Sequence, residues 1–130
     1  WNLRVVNTRH SVQNLGLRLE AGSPTKVFCY SGDGMFTPTA SKLYTNADLL
    51  VHEAYTSDGA VKNPRGETIT IGTKTHCSLQ QLERLDDMAR PKKMALIHLN
   101  RKLREDKKDI LKKYRQRRWI MPDAGEVIKL

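Results

Sequence analysis

The chain has 130 residues, of which 38% are hydrophobic and 28% charged, a composition typical of one globular domain and not of a disordered segment. No apolar run is long enough to cross a bilayer, which excludes a membrane-spanning chain. The net charge of +9 is localised, because residues 91–118 carry twelve Lys or Arg against three acids while the remainder is neutral. This basic segment either attracts phosphates or is a solvated helix face.

The N-terminal third of the chain predicts three strands. Residues 3–6 and 15–20 have strand patterns, the second with alternating leucines, and they are expected to form a hairpin. A tight turn at 20–26 leads into a third, apolar strand at 27–30. Residues 35–46 have a mixed pattern that includes a short helix.

The rest of the chain alternates strands with helices, which predicts parallel pairing. The continuous apolar runs are typical of buried strands, and the helices show apolar stripes. The predicted elements are strands at 47–55, 93–99 and 125–130, a loop at 56–75, and helices at 78–89 and 101–118. The stripes consist of Leu79, Leu82, Leu85 and Met88 in the first helix, which Ser78 caps, and of Leu103, Ile110, Leu111 and Tyr114 in the second.

The two cysteines, Cys29 and Cys77, are too few for a disulfide framework and predict a reduced, cytoplasmic setting. The first residues lack the features of a signal peptide and begin without Met. This start suggests a processed chain, an artificially shortened chain or a fragment.

One acidic residue follows the third strand between two glycines, in the sequence Ser31-Gly32-Asp33-Gly34. Turn chemistry explains this pattern, since Gly and Asp tolerate the backbone angles of a strand exit. The alternative is that the glycines permit a close approach to the backbone and that Asp33 serves a functional site. From these residues alone the turn interpretation is favoured.

The four histidines have similar positions to Asp33. His10, His52 and His98 lie at or just beyond a strand edge, and His76 directly precedes a helix. Taken singly, each is more often a structural or surface residue than a ligand. Their recurrence at element ends suggests a shared rim, and imidazoles with a carboxylate suit zinc or a similar metal.

Five segments in order resemble the second half of metallo-β-lactamase-fold hydrolases, and most of all the RNase Z-type branch. The resemblance extends from about residue 5 to about residue 101 and uses all four histidines. It implies an α/β fold in which residues 1–130 are the C-terminal half of a four-layer αββα sandwich. The segments are TRHSVQNLGLRLE, VFCYSGDG, ADLLVHEAY, THCSLQQLERL and MALIHLNR.

The resemblance also implies roles for five residues. Asp33 would bridge two divalent metal ions, zinc or alternatively manganese, with His10 on one ion and His98 on the other. His76 would contact the scissile phosphate, and Glu53 would hold His76 in place. Two such ions clamp a phosphate and lower the pKa of a bridging water. His52 has no counterpart in this scheme and is expected to be structural.

The main metal motif of that family, His-x-His-x-Asp-His, is absent from the chain. Three ligands remain where two ions need about seven, so we expect the chain alone to hold metal weakly or not at all and to be inactive. The other half would come from another polypeptide or from a longer parent chain, and a homo-oligomer is a further alternative. The half-fold should leave a sheet face bare, as a partner interface or an aggregation hazard.

The implied function is a metal-dependent hydrolase that cleaves phosphodiester or related ester bonds with a dinuclear metal-activated water. RNA is one possible substrate, but the long tRNA-gripping arm of many RNase Z enzymes is missing, since residues 21–26 form only a turn. Two alternatives remain open. The chain is a nucleic-acid-binding module that uses residues 91–118 in a salt-sensitive way, or it is a non-catalytic partner half-domain.

Overall fold

The computed structural model describes residues 1–57, 61–69 and 75–130, and eight strands lie within them. The first four strands are β1 (Asn2–Thr8), β2 (Asn14–Ala21), β3 (Lys26–Tyr30) and β4 (Leu49–Glu53). The other four are β5 (Val61–Lys62), β6 (Thr68–Ile69), β7 (Met94–Ile97) and β8 (Trp119–Ile120). Six of them form one sheet in the order β1-β2-β3-β4-β7-β8, and β5 pairs with β6.

Four α-helices and one 3₁₀ turn lie among the same described residues and connect these strands. They are α1 (Pro38–Leu43), α2 (Leu79–Ala89), α3 (Arg101–Glu105), α4 (Lys107–Lys113) and the 3₁₀ turn Arg115–Arg117. Within the described part of the chain, none of the helices combines the length and the apolar character needed to cross a membrane.

The strand pairing confirms the predicted topology. β1, β2 and β3 pair in antiparallel fashion, whereas β3, β4, β7 and β8 run parallel to one another. This pattern follows from the connections, because a tight turn joins antiparallel neighbours while a parallel pair needs a crossover segment. The carboxyl ends of β3, β4 and β7 therefore meet at one edge of the sheet.

One face of the sheet is covered by helices and holds the core. Cys29, Leu50, Met94 and Leu96 are fully buried there. The helical side contributes the buried apolar residues Leu79, Leu82, Leu85, Leu103, Ile110 and Tyr114. Because successive residues of a strand point to opposite faces, their strand neighbours lie on the other side of the sheet.

The opposite face is apolar yet partly uncovered. On β1 and β2, Leu3, Val5 and Leu15 are 48%, 59% and 45% exposed. Leu3 pairs with Leu19 and Val5 with Leu17 across the two strands, so these side chains share one surface. The expectation of a bare sheet face therefore holds for the β1–β2 end of the sheet.

Helix α2 agrees with its prediction except at Met88, which is 55% exposed. Three-residue steps fall about 60° short of a helical turn, so a stripe built on such steps drifts around the helix. Over nine residues, from Leu79 to Met88, the drift places Met88 on the side opposite Leu79. The prediction of Met88 as a core residue was wrong for this reason.

The single helix predicted at 101–118 is also wrong, because the segment forms α3, α4 and a 3₁₀ turn. The helical run is interrupted at Asp106, and Arg118 turns left-handed with φ 55°. The predicted inner side is confirmed for Leu103, Ile110 and Tyr114, whereas Leu111 is only partly buried. Periodicity shows which side is buried but not where the backbone bends.

Two further predictions need correction. No strand forms at residues 125–130, since Trp119–Ile120 takes the place beside β7 and leaves Val127 81% exposed. The segment 56–75 is not only a loop, because β5 and β6 form a short antiparallel pair within it. The parts of that prediction at 58–60 and 70–74 lie outside the described residues.

Candidate metal centre

All five residues with predicted roles lie at one edge of the sheet. Asp33 follows β3, Glu53 ends β4 and His98 directly follows β7. His10 lies just after β1, and His76 lies just before α2. Open sheets with parallel strands commonly bind ligands at the carboxyl ends of these strands.

Asp33 lies between the three histidines, with its side chain 51% exposed. Its Oδ2 is 3.7 Å from Nε2 of His10, and its Oδ1 is 2.7 Å from Nδ1 of His98. The same Oδ1 is 3.7 Å from Nδ1 of His76. The two carboxylate oxygens thus face different histidines.

The glycines beside Asp33 allow its loop to lie against the β1–β2 connection. Gly32 has φ +67°, and a Cβ there would be 2.6 Å from the carbonyl oxygen of Leu15. A Cβ on Gly34 would be 2.8 Å from the carbonyl oxygen of Arg9. The segment is therefore a turn that also needs a close backbone approach, and the functional role of Asp33 stays a prediction.

Backbone hydrogen bonds through Met35 tie three loops together. The N–H of Arg9 donates to the carbonyl oxygen of Met35 at 2.8 Å, and the N–H of Met35 lies 2.9 Å from the carbonyl oxygen of Arg9. The same Met35 N–H lies 3.1 Å from the carbonyl oxygen of Thr75. The neighbours of these residues are His10 and His76, so Met35 fixes the spacing of the site.

Glu53 is fully buried and is held at both ends. Its N–H donates to Oγ of Ser31 at 3.1 Å, and its Oε1 accepts a hydrogen bond from the N–H of Cys77. Its Oε2 is 3.5 Å from Nδ1 of His76. Both of these atoms are buried, and neither forms a hydrogen bond within the described part of the chain.

Burial shifts the pKa of both members of this pair. It raises the pKa of Glu53 to about 8, and the negative charge of Asp33 adds to the effect while the Cys77 N–H opposes it. Burial also lowers the pKa of His76, although the charge of Asp33 acts in the other direction. Both shifts favour the uncharged forms at neutral pH.

Similarity to solved structures of other proteins identifies the fold of the chain. No protein-family model matches the sequence, and neither does any curated protein. The short form of human tRNase Z is 20% identical with a TM-score of 0.61, covering 78% of this chain and 38% of that one. The metallo-β-lactamase fold protein YhfI from Bacillus subtilis is 21% identical with a TM-score of 0.58, covering 75% of this chain and 36% of that one. Zn²⁺-bound PqqB from Methylobacterium extorquens is 20% identical with a TM-score of 0.66, covering 99% of this chain and 50% of that one.

The chain has a metallo-β-lactamase fold. It spans half or less of the length of the three proteins just compared, so it is a part of that fold.

The possible ligand atoms of the candidate metal centre form two overlapping groups. His10, Asp33 and His76 present atoms within 4.8 Å of one another, and so do Glu53, His76 and His98. Imidazole nitrogens and carboxylate oxygens are the donors that zinc prefers, so these residues fit the implied metal.

The prediction missed Tyr55, which lies beside two of the site histidines. Its ring stacks on His76 with the centroids 5.0 Å apart, and its centroid is 5.7 Å from that of His98. The only signal in the sequence was Tyr55 itself, which directly follows His-Glu-Ala in the segment ADLLVHEAY. Asn14 was also missed, and its Oδ1 accepts a hydrogen bond from the N–H of Asp33 at 3.1 Å.

His52 points to the helix face, away from the candidate metal centre. Its ring makes edge contacts with Phe36 and Tyr44, and its Nδ1–H donates to the carbonyl oxygen of Glu53 at 2.8 Å. Burial lowers its pKa to about 4, so the ring is neutral. His52, Glu53 and Cys77 also present ligand atoms within 4.8 Å of one another, but all three side chains are buried. The geometry agrees with the structural role expected for His52.

Proposed function

We propose that this chain is part of a metal-dependent hydrolase of phosphodiester or related ester bonds, in which His10, Asp33 and His98 bind divalent ions. The position of Asp33 supports this most directly, because its Oδ2 faces His10 while its Oδ1 faces His98. A carboxylate in this position can bind two ions at once. The zinc of PqqB and the name tRNase Z make zinc and a phosphodiester the first choices to test.

Bound ions would supply an activated water and positive charge at the scissile phosphate. His76 would act on the same phosphate through the nitrogen that does not face Glu53, by hydrogen bonding to it or by protonating the leaving oxygen. Glu53 would face Nδ1 of His76, since Ser31 holds its backbone N–H and the N–H of Cys77 holds its carboxyl group. In the uncharged form that its raised pKa favours, the Glu53 carboxyl would donate to Nδ1 and leave the ring proton on the other nitrogen, which fixes the tautomer of the imidazole.

The proposed site of two ions needs more ligands than His10, Asp33 and His98 supply. We propose that they lie on an N-terminal half of the domain, on a longer parent chain or on a separate polypeptide, with residues 1–130 as the C-terminal half. The exposed leucines and valine of β1 and β2 give such a segment an apolar surface to cover.

The nucleic-acid-binding alternative is less well supported, because five of the twelve basic side chains of the segment 91–118 already have acidic partners. Arg117 pairs with both Asp86 and Asp87, at 3.1 and 2.8 Å. The other pairs are Lys92–Asp48, Arg101–Glu105, Lys102–Asp106 and Lys107–Asp123. These pairs fit a solvated helical surface better than a dedicated phosphate-binding one.

The test is made on the protein isolated from its native cells by an affinity tag, so that any longer chain or partner comes with it. Zinc and manganese are measured by elemental analysis, and hydrolysis is followed with bis(p-nitrophenyl) phosphate. The Asp33→Asn protein should contain less metal, and its rate of hydrolysis should fall at least about 100-fold. Its circular dichroism spectrum should be unchanged. Asp109→Asn, at an exposed position of α4, is the matched control and should change neither quantity.

His76→Ala separates the two predicted roles in the same experiment. It should lower the rate by about 10²–10⁴-fold and leave the metal content intact, because His76 acts on the substrate. Loss of metal in this variant would make His76 a ligand. Full activity of the Asp33→Asn protein with metal still bound would remove the bridging role, and a native protein with neither metal nor hydrolysis would overturn the proposed function.

A further inference from the structure

A cavity of about 410 Å³ adjoins the candidate metal centre on the side of His98. It lies between the end of β7, the helices α3 and α4, and the segment after β8. Its apolar lining includes Leu96, Leu99, Met121 and Pro122, and its polar lining includes Arg104, Lys107 and Asp123. Because His98 lines the cavity and contacts Asp33, a ligand there would lie next to the proposed reacting centre.

The charges of this cavity favour an anion. Lys107 pairs with Asp123 at 2.8 Å, so these two side chains neutralise each other. Arg104 is exposed and forms no ion pair with any described residue. The cavity is therefore left with one guanidinium whose charge is not compensated by an acid of the described chain.

The geometry points to a subsite for a phosphate group that is carried on an apolar body of nucleoside size, with Arg104 as its anchor. A guanidinium matches the oxygens of a phosphate with two parallel N–H donors. The volume exceeds what a phosphate alone needs, and the apolar lining suits a base or another flat apolar group. This inference rests on the proposed function only in naming the ligand as the part of the substrate beside the scissile ester.

The experiment measures binding and not turnover, so that it is independent of the proposed hydrolysis. Adenosine 5′-monophosphate is titrated by calorimetry into the protein from its native cells, with and without EDTA, and adenosine and inorganic phosphate are titrated in parallel. We expect the monophosphate to bind in EDTA as well, and adenosine to bind at least about tenfold more weakly.

The decisive variant is Arg104→Gln, which should weaken monophosphate binding about tenfold or more and leave adenosine binding unchanged. Arg101→Gln is the matched control, because Arg101 lies on the same helix, is 88% exposed on its side chain and does not line the cavity. Both variants are checked for unchanged circular dichroism. Arg104→Lys should recover part of the affinity, since it restores the charge without the fork of donors.

Three results would overturn the subsite. They are the absence of monophosphate binding, equal binding of adenosine, and equal affinity of Arg104→Gln and Arg101→Gln. If the native protein binds the monophosphate through Arg104 but contains no metal and hydrolyses no phosphodiester, the subsite stands and the proposed function fails. If it hydrolyses phosphodiesters but Arg104→Gln binds the monophosphate as the native protein does, the function stands and the subsite fails.

Discussion

The position of Asp33 depends on its two glycine neighbours, which have no side chain. Gly32 and Gly34 both lie where a Cβ would come closer than 3.0 Å to the β1–β2 connection, so this loop can approach Asn14 and Leu15 only without side chains. Gly32 also has a positive φ, which L residues rarely adopt. The position of the carboxylate is thus set by backbone packing as much as by its own contacts.

We expect Gly32→Ala to destabilise the protein more than the backbone strain alone explains. Strain at a positive φ costs about 1 kcal/mol, and the clash with the Leu15 carbonyl oxygen should add about 1–3 kcal/mol. Gly125→Ala is the control, because Gly125 has φ +84° but nothing within 4 Å of the added Cβ. The free energy of unfolding is measured in urea for both variants. An equal loss in the two would show that the loop is not held by close packing.

At the residue scale, the sequence was informative about residue types and not about contacts. His10, Asp33 and His98 could be singled out because polar residues recur at the ends of elements, in segments whose order resembles that of metallo-β-lactamase-fold hydrolases. Met35 could not, since its role is carried by its backbone N–H and carbonyl group. Tyr55 could not either, because ring stacking on His76 depends on the path of a loop far away in sequence.

At the element scale, the cap of α2 connects helix stability with the site. Oγ of Ser78 accepts a hydrogen bond from the N–H of Gln81 at 3.2 Å, and Oε1 of Gln81 accepts one from the N–H of Ser78 at 2.9 Å. The N–H of the next residue, Leu79, donates to the carbonyl oxygen of Thr56 at 2.8 Å. The helix therefore begins at a fixed point two residues after His76.

Ser78→Ala should lower the free energy of unfolding by about 1 kcal/mol, because it removes one half of a reciprocal cap. Ser57→Ala, at an exposed position, should change it by less than about 0.5 kcal/mol. Both are measured by urea denaturation at the same pH. If the two variants lose the same stability, the cap contributes nothing to this fold.

The elements that were predicted correctly are those whose signal is local. The capping residue and the apolar run of β4 are visible in a few adjacent residues, and both appear in the structure. The choice between Trp119–Ile120 and residues 125–130 for the place beside β7 was not local. Both segments contain β-branched residues that favour strands, and competition for one sheet edge decides between them.

At the scale of the whole molecule, the unequal faces of the sheet are the main feature. The helix face holds fully buried residues such as Leu50 and Leu96, whereas Leu3 and Val5 on the other face are half exposed. A contiguous apolar surface on an edge strand is a site for association. The same face lies beside the candidate metal centre, which is why we propose that the remainder of the metallo-β-lactamase fold would pack there.

The 130-residue chain on its own should therefore self-associate through β1 and β2, and Val5→Lys should reduce this association. Val5 is 59% exposed on the apolar face, so a charge there opposes contact between two copies without disturbing the core. Val127→Lys introduces the same change at an 81% exposed position outside the sheet and should leave association unchanged. Sedimentation velocity over a range of concentrations measures the effect, with circular dichroism as the check on folding. If the unsubstituted chain stays monomeric, or if both substitutions have the same effect, this face needs no partner. The further ligands that we propose would then have to approach from the edge where the strands end.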